Sequence, residues 1–102
     1  MFAPVTAEPI ETIAKEFIPQ LRFSPTDVLA HDVVARQRRR YEAERAVVLG
    51  NAHHGKVDIF FQTRDGATKR VQTTIWAADG EHLTLKSGVT LPLRAVEGFD
   101  FY

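Results

Sequence analysis

Residues 57–93 read VDIFFQTRDGATKRVQTTIWAADGEHLTLKSGVTLPL, and they divide into four segments in which apolar and polar residues alternate. A period of two is typical of a β-strand that buries one face. Apolar residues favour odd numbers in all four segments, so one face of the predicted sheet forms the core. Eleven positions belong to this face, ten of them apolar: Val57, Ile59, Phe61, Val71, Thr73, Ile75, Leu83, Leu85, Val89, Leu91 and Leu93.

The connections between these segments predict the register of the strands. Residues 64–66, 78–80 and 86–88 each end in glycine. A three-residue loop with a left-handed glycine in last place keeps odd positions opposite odd positions, whereas a two-residue turn would mix core with surface. The predicted pairs are Ile59 with Val71, Ile75 with Leu83, and Leu85 with Val89.

The end of the chain predicts a closing strand. Pro92 has no N–H group and therefore belongs at a sheet edge, and residues 94–96 fit one tight turn before a last strand to Tyr102. Residues 56–101 resemble SH3-like and Sm-like barrels, which share this order of a bent meander, a tight turn and a short strand. That resemblance implies a small barrel. The chain does not match the RNA-contact motif of Sm-like proteins.

A second resemblance lies in residues 73–77, TTIWA, and residues 85–93, LKSGVTLPL. They resemble a family of short bacterial proteins to which no function is assigned. This resemblance implies a fold and no activity.

The first half of the chain predicts two helices. Apolar residues at helical spacing follow Pro9, and Pro19 would stop this first helix. A second helix is predicted from Pro25 to about Glu44, because Ser24 is a good N-cap and Asp27 completes a capping pattern. Leu29 and Val33 are predicted on its buried side, with Val34 and Tyr41 as further candidates. Residues 46–50, AVVLG, fit either a strand or a last helical turn ended by Gly50, and we favour the strand.

Together these elements predict an α+β fold in one domain, residues 1–102. Residues 1–45 form the helical N-terminal half. Residues 46–102 form a five- to six-stranded antiparallel meander curled into a small SH3-like or Sm-like barrel.

The composition is that of an ordinary globular protein, with 102 residues, 44% of them hydrophobic and 25% charged. The absence of cysteine excludes disulfides, thiolate metal sites and cysteine nucleophiles. No apolar run approaches the ~20 residues of a membrane span, and the N-terminus lacks the pattern of a signal peptide. We therefore expect no membrane partner and a cytoplasmic location.

Charge is unevenly distributed, although thirteen basic residues balance thirteen acidic ones. Residues 36–70 carry nine basic and four acidic side chains. A basic region beside aromatic side chains favours nucleic-acid binding. The candidate residues are Arg36, Arg38, Arg39, Arg40, Lys69, Arg70 and Lys86, with Phe60 and Trp76 for stacking.

Two simpler interpretations stand beside this hypothesis. The arginines can form a solvated helix face that Glu42 and Glu44 partly neutralise. Phe60, opposite Arg70, and Trp76, opposite His82 in the predicted register, can be covered by the N-terminal helices.

The sequence offers little support for catalysis. His53 and His54 are adjacent, and no histidine pair has the i, i+4 spacing that favours a zinc site. Both serines are assigned to a cap or a turn, and Asp58 is a lone carboxylate where acid–base chemistry usually needs a partner. We predict no catalytic, cofactor or metal site, and hence no enzyme.

The predicted function is therefore an interaction module that binds a protein, above all a second copy of itself. The candidate interface is the apolar stripe Ile10, Ile13 and Phe17 on the first helix. Nucleic-acid binding by the basic helix and sheet face is the alternative.

Overall fold

The computed structural model describes residues 9–102, which form one α-helix and seven strands in two sheets. The helix, α1, spans Val33–His53. Short 3₁₀ turns occupy Lys15–Gln20, Lys86–Gly88 and Leu93–Ala95. The strands are β1 Glu11–Thr12, β2 Val57–Gln62, β3 Thr68–Thr73, β4 Ile75–Ala78, β5 His82–Leu85, β6 Thr90–Pro92 and β7 Val96–Phe101.

The strands do not close into a barrel, so the prediction of an SH3-like or Sm-like barrel is wrong. One sheet has the order β1-β3-β2-β7 and the other β4-β5-β6. A closed barrel pairs every strand edge, whereas over residues 9–102 each sheet keeps two edge strands. Val71, Thr73 and Ile75 were expected on one continuous strand, but that strand is interrupted at Thr74, where the chain leaves the first sheet and enters the second.

Two of the three predicted hairpin registers are confirmed. Ile59 lies opposite Val71 in the β2–β3 hairpin. The backbone N–H of Leu85 donates to the carbonyl of Val89 at 2.7 Å, beside the β5–β6 pairing. In the loops of these two hairpins, glycine has the left-handed conformation that the prediction required, with φ of 89° at Gly66 and 84° at Gly88.

The β4–β5 register was predicted wrongly. Ile75 lies opposite Leu85 rather than Leu83, and the register shifts between Ile75 and Ala77. The physical reason is the conformation of the turn. The carboxylate of Asp79 accepts the backbone N–H groups of Glu81 and His82 at 2.7 and 2.8 Å, and this arrangement differs from the predicted three-residue loop. The shift also removes the predicted pairing of Trp76 with His82.

The predicted core face is confirmed. Ten of its eleven residues are buried, and Val89 is partly buried. The rest of the core comes from outside the four predicted segments: Ile18, Ala43, Ala46, Val96 and Phe99. Alternation was a reliable guide here because it depends only on local strand geometry.

The helix begins eight residues later and ends about nine residues later than predicted. Asp32 is its N-cap and accepts the backbone N–H of Ala35 at 2.9 Å. Ser24 and Asp27 instead accept N–H groups two residues ahead and shape a turn. Residues 46–50, predicted as strand, are helical, so the helix runs past residue 45, where the strand-rich part was expected to start.

The predicted N-terminal helix is absent from the described part of the chain. β1 pairs in parallel with β3, and the backbone N–H of Ile13 donates to Arg70 at 2.9 Å. Pro19, predicted to stop a helix, lies inside the 3₁₀ turn. Pairing with β3 supplies the backbone hydrogen bonds that so short a helix could not secure by itself.

No helix between residues 9 and 102 is both long enough and apolar enough to cross a bilayer. α1 packs instead against β4 and β7, one strand from each sheet.

Candidate functional site

α1 carries apolar side chains on its inner and its outer face. Ala43, Ala46 and Gly50 are buried on the inner face. Val34, Tyr41 and Val48 are 69%, 67% and 66% exposed. They are seven residues apart, nearly two helical turns, so they form one line along the outside of the helix. We call these three side chains the outer ridge.

The outer ridge has edges of different charge. Arg38 and Arg45 lie four residues after a ridge residue, and Gln37 and Glu44 lie three residues after one. Because each residue turns the helix by about 100°, these two sets fall on opposite sides of the ridge. One edge is therefore basic, and the other is polar and acidic.

Two of the charged residues beside the ridge have partners within the chain. The guanidinium of Arg45 lies 4.5 Å from the ring centroid of Phe101. Glu44 is 3.7 Å from Arg40, and both side chains are well exposed. An exposed pair at this distance contributes little free energy, so Glu44 is available to another cation.

The predicted interface Ile10, Ile13 and Phe17 is not a single helical stripe. Ile13 packs against the core, Ile10 is half-buried, and Phe17 is 57% exposed. A strand followed by a 3₁₀ turn does not bring these positions to one face as a helix would. Phe17 borders a cleft of about 420 Å³ that Leu21 and Lys69 also line.

Arg39, one of the predicted nucleic-acid ligands, is turned into the protein. It is 5% exposed, and its two terminal nitrogens donate to Asp27 at 2.9 and 2.7 Å. One of them also donates to the Val96 carbonyl at 2.9 Å, while Nε has no hydrogen-bond partner among residues 9–102. Arg39 thereby joins α1 to β7 and to the segment before the helix.

The ion pair alters the titration of Asp27. Burial by itself raises the pKa of this carboxyl, but hydrogen bonds from Arg39 and from the Leu29 N–H, with the nearby positive charges, lower it below the ordinary 3.8. Asp27 therefore stays ionised opposite the buried guanidinium.

The remaining predicted basic ligands do not form one surface. Arg36 donates to the carbonyls of Leu29 and Ala30 at 2.8 and 2.6 Å. Lys69 pairs with Glu11 at 2.8 Å, and Arg70 donates to Thr12 at 2.7 Å, both across the β1–β3 pair. Arg38, Arg40 and Lys86 are exposed.

The cleft beside the arginines is not strongly positive. A space of about 270 Å³ separates α1 from the β4–β5 turn, and Arg36, Arg39 and Arg40 line it. Glu44 and Asp79 line it as well. These two carboxylates offset much of the charge that a phosphate backbone would require.

The two aromatic candidates for stacking differ in their exposure to solvent. Phe60 is only 4% exposed, and the Arg70 guanidinium lies 6.0 Å from its ring centroid. Trp76 is 45% exposed on β4. They do not form one stacking surface for nucleic-acid bases.

Within residues 9–102, no group of three or more His, Asp or Glu side chains could hold a metal ion. Asp58 accepts a hydrogen bond of 2.5 Å from the Tyr102 hydroxyl. Local desolvation of the hydroxyl and the hydrogen bond to this carboxylate raise the pKa of Tyr102 to about 12, although the side chain is largely exposed.

Neither the outer ridge nor the pair Asp27–Arg39 was predicted from the sequence. Val33, Val34 and Tyr41 were predicted on the buried side of the helix, but they are 57%, 69% and 67% exposed. The predicted helix end at Glu44 also left Val48 outside the helix. Asp27 and Arg39 are twelve residues apart and bear no local spacing signal.

Comparisons with known proteins found no relative of this chain. No family model, no curated protein and no solved structure matches the chain.

Proposed function

We propose that this protein is a non-enzymatic, self-associating interaction module whose interface is the outer ridge of α1. The observation that carries the proposal is the exposure of three apolar side chains in one line, opposite the buried face of the helix. Exposed apolar residues that stand alone are ordinary, whereas an aligned set is typical of a binding surface.

The residue types in the ridge support the proposal. Val34 and Val48 are β-branched, and valine is a weaker helix former than the lysine or glutamate usual at exposed positions. Tyrosine is enriched in protein interfaces because its ring adds contact area at low entropic cost. Neither solubility nor helix propensity accounts for these side chains, but contact with a second chain does.

A second copy of this chain is the occupant that the observations favour. The ridge has polar edges of opposite charge, so a copy of α1 supplies both an apolar surface and the complementary charges. The same surface on both partners suffices for a symmetric dimer.

Nucleic-acid binding has less support. Arg39 is buried, Arg36 is bonded to backbone carbonyls, and Lys69 is paired with Glu11. These side chains stabilise the fold, and they are not available to phosphates without breaking those contacts.

The test compares two substitutions that each place a carboxylate on an exposed aromatic position. Sedimentation velocity of the full chain between about 10 μM and 1 mM covers the range of a small interface. We expect wild type to gain mass with concentration, Tyr41→Glu to remain monomeric, and Phe17→Glu to behave as wild type. Far-UV circular dichroism confirms that both variants are folded.

Each alternative outcome has a definite meaning. A wild-type chain that stays monomeric at 1 mM overturns the proposal. Loss of association in Phe17→Glu alone moves the interface to the N-terminal segment and removes the outer ridge from it.

A further inference from the structure

The self-association proposed above leaves the direction of the two helices open, and the charges beside the outer ridge distinguish the two directions. Arg38 and Arg45 form its basic edge, and Gln37 and Glu44 its acidic edge, all four exposed. A helix with two unlike edges has different neighbours in a parallel and in an antiparallel pair.

In an antiparallel pair, like edges meet. With Tyr41 at the centre, the basic edges of the two copies face each other, and Arg38 lies near the partner's Arg45. The acidic edges also meet, which brings Gln37 near the partner's Glu44. The first contact is repulsive, and the second gains no ion pair.

In a parallel pair, unlike edges meet. Glu44 then lies beside the partner's Arg45, and two-fold symmetry repeats this contact on the other side. The outer ridge still meets its own counterpart, with valine against valine and tyrosine against tyrosine. The apolar contacts can form in either direction, but the charged contacts are favourable only when the helices are parallel.

We propose that two copies associate through α1 in parallel, about a two-fold axis along the helices, with Glu44 of each copy paired to Arg45 of the other. This inference rests on the proposed function, because it specifies how the same surface is used. Arg45 can keep its contact with Phe101 while its outer N–H groups reach the partner, since guanidinium carries five donors.

The interface is small, so the association is weak. Three ridge residues and their flanks are fewer than the ~20 residues that each partner contributes to a standard stable interface. We expect a dissociation constant of about 100 μM.

Single cysteines test the direction directly, because the chain has no cysteine of its own. Val34→Cys and Val48→Cys are oxidised separately and as a mixture. In a parallel pair each residue faces its own counterpart. In an antiparallel pair Val34 faces the partner's Val48, about 21 Å along the helix from the partner's Val34, far beyond the ~4–7 Å Cα separation of a disulfide.

We expect each variant alone to form a disulfide-linked dimer, and the mixture to form no excess of the mixed dimer. Thr90→Cys, exposed on β6, measures the background of random collisions. Cross-linking confined to the mixture overturns the parallel direction but leaves self-association intact. Cross-linking of every variant at the Thr90→Cys level overturns both.

Charge reversal is an independent test, because Arg45→Glu changes the dissociation constant in opposite senses for a parallel and an antiparallel pair. In a parallel pair, Arg45→Glu and Glu44→Arg each raise the dissociation constant about tenfold, and mixing the two variants restores association. In an antiparallel pair, Arg45→Glu lowers the dissociation constant, since the new carboxylate meets the partner's Arg38. Tighter association of Arg45→Glu therefore contradicts the proposal.

Discussion

At the scale of single residues, Arg39 shows how a basic sequence can serve the fold rather than a ligand. Its guanidinium is removed from water and donates hydrogen bonds to Asp27 and to the Val96 carbonyl instead. Such a pair adds little net stability, but loss of one partner leaves an uncompensated buried charge.

Asp27→Asn is expected to lower the free energy of unfolding by about 2 kcal/mol at pH 7, measured by urea denaturation. A fully buried pair costs about 3–5 kcal/mol to break, and the Asp27 side chain is 27% exposed, which reduces the loss. Arg40→Gln breaks only an exposed pair and should change stability by less than about 0.5 kcal/mol.

The effect of Asp27→Asn on the free energy of unfolding should depend on pH. The folded pKa of Asp27 lies below its ordinary 3.8, so the stability it contributes is present above that value. It is lost as the pH falls through the folded pKa. The difference between wild type and Asp27→Asn should therefore be constant from pH 7 to about 5 and shrink towards pH 2. A difference that persists unchanged at pH 2 would contradict the ionised pair.

At the scale of elements, the length of α1 depends on its contact with β4. A Cβ added at Gly50 would lie 2.3 Å from the Ile75 carbonyl oxygen and 2.9 Å from a methyl carbon of Thr74. Only glycine allows this close approach of helix to strand. The residue that suggested a helix end is thus an internal packing position.

Gly50→Ala is expected to destabilise the protein by about 2 kcal/mol, because overpacking against the β4 backbone outweighs the gain in helix propensity. The neighbouring Asn51→Ala lies on the exposed side and should stabilise by about 0.5 kcal/mol. Thermal unfolding of both variants checks the opposite signs. Stabilisation by Gly50→Ala would show that the helix can move away from β4 at no cost.

At the scale of the whole molecule, α1 connects the two sheets. It packs against β7 of the four-stranded sheet and β4 of the three-stranded sheet, and residues of both sheets share one hydrophobic cluster. Neither sheet has a separate core. We therefore expect the described fold to unfold as one cooperative unit.

Two spectroscopic probes test this cooperativity. Trp76 is the only tryptophan and reports on β4, whereas circular dichroism at 222 nm is dominated by α1. The two urea transitions should have midpoints that agree within about 0.2 M, as a two-state transition requires. Separate midpoints would mean that the three-stranded sheet unfolds independently of the helix.

The sequence by itself determined which strand residues face the core, but not that Asp58 and Phe60, on the opposite face of β2, are buried as well. Alternation in segments such as 57–62 assigns each side chain to a face, because in a strand the face depends only on the residue's own position. It also determined the β2–β3 loop, where Gly66 needs a left-handed conformation. For the candidate site, it placed Val34 and Tyr41 on one helix but assigned them to the buried side, whereas both are exposed.

Only the tertiary structure decided the partition into two sheets, the length of α1 and the burial of Arg39. Residues 46–50 favour a strand by local preference, yet they are helical because Ala46 and Gly50 pack against the sheets. Arg39 meets Val96 across 57 residues of chain. Contacts between such distant residues leave no local pattern, so they arise only when the whole chain is folded.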